Sequence, residues 1–206
     1  GTRFDEALQL ARHLHRKQVR GGQPVPYMAH LMAVAGIVLE ANAYHELDNI
    51  EDVAIGALLH DAVEDQGHQI TLEEIRRRFG DKVHEIVHDC SDAIIEEEHQ
   101  KKEPWRERKE AFINKIKNKS HESLLVSCAD KLHNARSILF DHARIGDAVF
   151  DRFTPEKEET LWYYESVARS FEEAWPENPL LPDFKAVVER MREVVKGKKG
   201  DGGIKK

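Results

Sequence analysis

Apolar residues recur along this chain at the spacing of a helix face. Phe4, Ala7, Leu8, Ala11 and Leu14 share one face of a first helix, and Leu31, Val34, Ile37 and Val38 mark a second. Ile50, Val53, Ala54, Ala57 and Leu58 mark a third, for which Asp48 with Glu51 three residues on reads as the capping pair. Thr71-Leu72-Glu73-Glu74 opens a fourth helix that Gly80 stops. Val83, Ile86, Val87 and Cys90 mark the next, and Pro104 suits the first turn of a helix through Lys117. Leu124–Leu139 is long and apolar-rich, Thr154-Pro155 starts a helix through Trp175, and a shorter one covers Asp183–Val195. No paired-strand or hairpin signal intervenes. The pattern predicts an all-α bundle of about eight or nine helices.

A chain of 206 residues predicts one domain, expected over 1–196, with 197–206 as a disordered tail and 96–103 as a charged connector. The longest apolar stretch, near Ala33–Leu39, is too short to span a bilayer, and the first residues lack the apolar core of a signal peptide. No membrane partner is expected. The formal charge of −7 disfavours nucleic acid, so an anionic substrate needs a metal ion and local cations. Cys90 and Cys128 fall on apolar faces and are expected as buried free thiols, which fits a cytoplasmic setting.

Against this background one hexapeptide stands out, His60-Asp61-Ala62-Val63-Glu64-Asp65. The His-Asp pair offers an imidazole nitrogen and a carboxylate oxygen to one cation, and a second acidic pair follows one turn later. Ligands beside spare acid/base groups are what metal-assisted hydrolysis of a phosphate ester needs. Alone, each such residue reads more simply as a capped, paired or solvated side chain. Two further segments change the weighting: Pro26-Tyr27-Met28-Ala29-His30 and Ser127-Cys128-Ala129-Asp130-Lys131-Leu132-His133-Asn134-Ala135-Arg136.

Together with the arginine-bearing loop His15-Arg16-Lys17-Gln18-Val19-Arg20-Gly21, these segments resemble the hydrolase domain of the RelA/SpoT-type alarmone enzymes, a branch of the HD phosphohydrolases. The resemblance runs over about residues 2–175. With no synthetase-like half following, it is nearest the stand-alone small alarmone hydrolases, and Pro104-Trp105-Arg106-Glu107-Arg108-Lys109-Glu110 looks like their bacterial members. It implies His30, His60, Asp61 and Asp130 as metal ligands, a mixed N/O set that suits Mn²⁺, with Mg²⁺ or Fe²⁺ as alternatives. It implies Glu64 and Asp65 as the groups that orient and deprotonate water. Arg20 is implied as the base-stacking residue and Asn134 as a hydrogen-bond partner of the nucleotide, with Tyr27 and Lys131 as further substrate contacts and Tyr163 and Arg136 as weaker candidates. His133 reads as packing or support behind the ligands.

The implied activity is hydrolysis of the 3′-pyrophosphate of guanosine tetra- or pentaphosphate. A phosphohydrolase of another nucleotide, a dNTP or an NADPH-like cofactor, is the first alternative, and a silent nucleotide-binding module the second. One departure is visible: the family commonly has a lysine after the base-stacking arginine, and this chain has Gly21, followed by Gly22.

Overall fold

The computed structural model describes residues 1–21, 23–45, 47–92 and 103–197. Gly22, His99, nearly all of the charged connector and the tail beyond Gly197 lie outside the described residues. The described residues form ten α-helices and two 3₁₀ segments, with one isolated antiparallel bridge between Val19 and Pro26. The helices are α1 (Thr2–Leu14), α2 (Met28–Ala41), α3 (Ile50–Leu59), α4 (Ala62–Gln66), α5 (Leu72–Phe79), α6 (Asp81–Cys90), α7 (Trp105–Lys115), α8 (His121–Ile145), α9 (Lys157–Ala174) and α10 (Leu181–Lys196). Each of the helices predicted from periodicity is present. The tenth is the short α4, separated from α3 by a break at His60 and Asp61.

Helix α3 is the axis of the molecule. Every residue from Val53 to Leu59 is buried, and the helix packs on α1, α2, α6 and α8. A helix surrounded on all sides has no polar face to show, which explains its unbroken apolar run. Its contact with α6 is close: a Cβ on Gly56 would lie 2.6 Å from Ile86 Cγ2, so glycine is what allows the two backbones to approach. Ser120 caps α8 by accepting from the Ser123 N–H at 3.3 Å, and Thr71 caps α5 in the same way. The expected cap on α3 is absent. That helix starts at Ile50 after Asn49, with no side-chain cap, and Asp48 is exposed. Asp52 is turned to Arg3 at 2.7 Å, so ion pairs between α1 and α3 hold this end instead.

Cys90 and Cys128 are buried and free. Among the described residues no helix is long and apolar enough to cross a membrane. Behind α8, Lys119 follows the 3₁₀ turn Ile116–Asn118 with its Nζ buried, 3.7 Å from the centre of the Phe112 ring and without a hydrogen-bond acceptor among the described residues. Burial pulls its pKa from 10.5 down to about 8. The folded state therefore holds fewer protons than the unfolded state between those pH values, and stability rises with pH across that window. Lys119→Met is expected to raise Tm at pH 7, with an advantage over wild type that shrinks as pH climbs from 8 towards 10.5. Melting curves across that range test it; a lower Tm for the variant at pH 7 would mean that the Phe112 ring fully replaces the lost solvent.

Candidate active site

Three helices and the break after α3 bring the site together. His30 stands in the first turn of α2, His60 and Asp61 at the break, and Asp130 midway along α8. Adjacent residues of a regular helix point about 100° apart and cannot face one ion. The chain leaves helical geometry at Asp61, whose φ of −97° and ψ of 1° turn its carboxylate back beside the imidazole of His60. Asp61 Oδ2 then lies 3.0 Å from His60 Nε2 and 3.7 Å from His30 Nε2. Asp130 Oδ1 lies 3.1 Å from His30 Nε2 and 3.6 Å from His60 Nε2. One ligand atom each from His30, His60 and Asp130 falls within a sphere of contacts no wider than 4.8 Å.

The donor atoms are oriented from behind. His60 Nδ1 donates to the Ala57 carbonyl at 2.7 Å, which leaves Nε2 facing the cluster. His30 Nδ1 meets His133 Nδ1 at 2.8 Å, and a neutral His30 that donates there keeps its Nε2 lone pair for the cluster. Both Nε2 atoms are buried and, though near carboxylate oxygens, are not aligned for a hydrogen bond. The Tyr27 hydroxyl donates to Asp61 Oδ2 at 2.6 Å. Lys131 Nζ and Asn134 Nδ2 donate to the two oxygens of Asp130, each at 2.6 Å. Buried, inward-facing imidazole nitrogens beside two carboxylates are a donor set that a divalent cation completes.

Charge is shared unevenly in this cluster. Burial acts against the charged form of His60, but Asp61 and Asp130 outweigh it and hold its pKa well above the usual imidazole value. Burial lowers His30, which stays neutral. Burial would raise both aspartates; His60 holds Asp61 down, and Lys131 with the two histidines holds Asp130 well down. Burial, with His30 and Arg20 nearby, pulls His133 down to about 4.

Two cavities adjoin the cluster. The smaller, about 170 Å³, is lined by Tyr27, Asp61, Glu64, Asp65, Asp92 and Asp130 among others. Glu64 and Asp65 both belong to α4 and both reach it, although the helix does not run on unbroken from His60. Glu64 Oε2 accepts the Asp92 N–H at 3.1 Å, and Asp65 Oδ2 accepts from Gln18 at 2.7 Å. The larger cavity, about 740 Å³, is of a size for a nucleotide. Among the described residues Arg20, Lys109, Lys131, Arg136 and Arg152 line it against a single acidic residue, Asp141, so a protein of net charge −7 presents a cationic chamber here. Lys109, Lys131 and Asn134 line both cavities.

Arg20 donates to Asn134 Oδ1 at 2.8 Å, and its guanidinium lies 5.9 Å from the centre of the Tyr27 ring. Tyr163 lines the larger cavity with a buried hydroxyl that has no hydrogen-bond partner among the described residues. Arg136 pairs with Asp183 at 3.1 Å on the cavity rim. Gly21 also lines the cavity; it has no positive φ, and nothing lies within 4 Å of where its Cβ would stand.

Other side chains at the site carried no distinct sequence signal. Asp92, half-buried with its side chain largely enclosed, pairs with Arg108 at 2.8 Å and with Lys109, and so holds Lys109 at the junction of the cavities. Asp141 receives both Gln23 and Arg152, which joins the Arg20 loop to the far wall. Arg108 and Lys109 belong to the segment 104–110 that looks like the bacterial members, with no role attached to either, and their ion pairs with Asp92 turn them inward.

The chain is similar to known proteins over most of its length. A family model described as an HD domain matches residues 7–154. The MESH1 guanosine-3′,5′-bis(diphosphate) 3′-pyrophosphohydrolase of Xenopus tropicalis is 36% identical over 136 residues, covering 65% of this chain and 68% of the relative. A guanosine-3′,5′-bis(diphosphate) 3′-pyrophosphohydrolase of Haemophilus influenzae is 30% identical over 135 residues, 63% of this chain but 18% of that longer protein. Among solved structures, a metazoan ortholog of SpoT described as hydrolysing ppGpp superposes with a TM-score of 0.71 at 24% identity, covering 96% of this chain and 97% of the other. The lmo0812 protein of Listeria monocytogenes superposes with a TM-score of 0.64 at 27% identity, covering 79% of this chain and 97% of its own. The chain therefore belongs to the HD-domain family, in its branch related to the MESH1 and SpoT-type ppGpp hydrolases.

Proposed function

We propose that this protein hydrolyses the 3′-pyrophosphate of guanosine tetra- and pentaphosphate, with Mn²⁺ as the resident cation and the cytoplasm, suited to its free thiols, as its setting. The observation that carries the reading is the junction of two features: inward-facing imidazole nitrogens with two carboxylates, and a cationic chamber of about 740 Å³ directly above them. The MESH1 relatives bear the name of this activity.

His30, His60, Asp61 and Asp130 would hold the cation, which supplies a more acidic water and neutralises charge on the phosphate. Lys131 and His60 keep the two aspartates ionised, and Lys131 and Tyr27 orient them for that task. Glu64 and Asp65 take the proton of the attacking water from the smaller cavity. The new bond forms between the water oxygen and the phosphorus on the ribose 3′ oxygen, and the bond from that phosphorus to the 3′ oxygen breaks. The 3′ oxygen takes up a proton and pyrophosphate leaves. Arg20, Lys109, Lys131 and Asn134 neutralise and position the phosphates, while the walls of the larger cavity receive the nucleoside. Tyr163, whose hydroxyl has no hydrogen-bond partner among the described residues, offers one further donor to the substrate.

Three outcomes are expected. Incubated with Mn²⁺, guanosine tetraphosphate should give GDP and pyrophosphate, and pentaphosphate should give GTP and pyrophosphate; a chelator should stop both, and added Mn²⁺ should restore them. Release of single phosphates, or equal turnover of a dNTP or NADPH, would favour the other nucleotide phosphohydrolases instead. Glu64→Gln keeps an acceptor for the Asp92 N–H but removes the base, so kcat should fall by about 10²-fold or more with bound metal unchanged. Loss of metal from that variant, measured by elemental analysis, would make Glu64 a ligand support. Gly21→Lys should lower KM for the alarmone, because the site has space, no positive φ and a chamber that binds anions. An unchanged or higher KM would remove the Arg20 loop from the base site.

A further inference from the structure

We propose that Gln18 is a positioning residue that sets the orientation of Asp65 and ties it to the loop carrying Arg20. The proposal rests on the reading of Asp65 as a partner in activating water. Gln18 stands in the loop between α1 and α2, two residues before Arg20, and does not line either cavity described above. Yet its side chain is engaged at both ends. Nε2 donates to Asp65 Oδ2 at 2.7 Å. Oε1 lies 2.7 Å from His15 Nδ1 and accepts from Gln66 Nε2 at 2.8 Å.

These partners leave the amide no freedom to turn over. An ionised carboxylate only accepts, so the NH₂ group must face Asp65, and the oxygen must face the Gln66 NH₂. His15 then donates through Nδ1. Burial lowers the pKa of His15, which stays neutral, and its ring stacks on Tyr27 at 5.2 Å between centres and 20° between planes. The backbone of Gln18 belongs to the same assembly. Its carbonyl accepts the Tyr27 N–H at 3.0 Å, and Arg20 N–H donates to Val25 at 2.9 Å across the Val19–Pro26 bridge.

One residue thus joins three things: the Asp65 carboxylate, the ring that packs on Tyr27 and so on the partner of Asp61, and the base of the Arg20 loop. A glutamine serves here because a single planar group must donate to an anion on one side and accept two N–H groups on the other. Leucine fills similar space with neither function. Glutamate has the same shape but can only accept, and it places a second negative charge against Asp65.

The test is a double-mutant cycle with Asp65→Asn. Wild type, Gln18→Leu, Asp65→Asn and the double variant are assayed with Mn²⁺ on guanosine tetraphosphate and on bis(p-nitrophenyl) phosphate. The diester needs the metal centre and a water but not the nucleotide cavity. Gln18→Leu is expected to lower kcat by about tenfold or more on both substrates, the scale of a displaced catalytic group, while metal content stays at the wild-type level. In the Asp65→Asn background the same change should cost less than about threefold, because there is no longer a carboxylate to orient. Gln18→Glu, which preserves packing, should be at least as impaired as Gln18→Leu at neutral pH. An equal loss from Gln18→Leu in both backgrounds, or wild-type kcat in Gln18→Glu, would overturn the proposal and leave Gln18 a packing residue. A wild type that hydrolyses the diester but not the tetraphosphate would remove the proposed substrate while the cycle still decides the role of Gln18.

Discussion

Two imidazoles and two carboxylates are held within a few ångströms of one another, with His30 and His60 each 1% exposed and Asp130 6%. Removing a charge from water costs several kcal/mol per ion even after relaxation, so such a group is retained only where every member is compensated. Compensation is what the surrounding residues do. Lys131 and Asn134 share Asp130, Tyr27 serves Asp61, and the Ala57 carbonyl and His133 take the outward nitrogens of the histidines. What remains are the two inward-facing Nε2 atoms, buried and without an aligned hydrogen-bond partner among the described residues, and these define where a cation belongs.

The need to bury this cluster also explains why the core is arranged as it is. His60 can reach the interior only because α3, which ends just before it, is itself enclosed by α1, α2, α6 and α8. Gly56 lets α6 approach from one side. The break at Asp61 then serves two ends. It brings a carboxylate beside His60, and it restarts the chain as α4 so that Glu64 and Asp65 face the smaller cavity rather than solvent. A continuous helix would point adjacent side chains in different directions and could not provide both.

Outside the acidic centre the sign of the site reverses. Among the described residues the charged groups of the inner cavity are mostly carboxylates and those of the outer one mostly cations, with Lys109 and Lys131 at their junction. A bound cation would offset the inner charge, and phosphates would offset the outer. A polyanionic nucleotide whose reacting phosphate points inward suits both halves at once. The arrangement also accounts for an overall acidic protein that receives an anion: the field that matters is local, shaped by a concave low-dielectric wall rather than by net charge.

Sequence by itself determined the helices, because helical periodicity is a local property that each segment carries whether or not it is packed. It also determined the inventory of the centre: the His-Asp pair, the acidic pair after it, His30 and Asp130 were legible as ligand and acid/base types. Their convergence was not, since Asp61 and Asp130 are far apart in the chain and only the packing of α8 against α2 and α3 brings them together. Nor was the break at His60, which interrupts a pattern that reads on towards Glu64, or the missing cap at Asp48, where ion pairs from Arg3 took over. Gln18 stood inside the arginine-bearing loop with no role attached, and Asp92 and the Gln23–Asp141–Arg152 link had no signal, because a polar residue announces nothing about which distant partner it will meet. Tertiary structure decided those pairings, since a buried donor or acceptor is tolerated only where the fold supplies its complement.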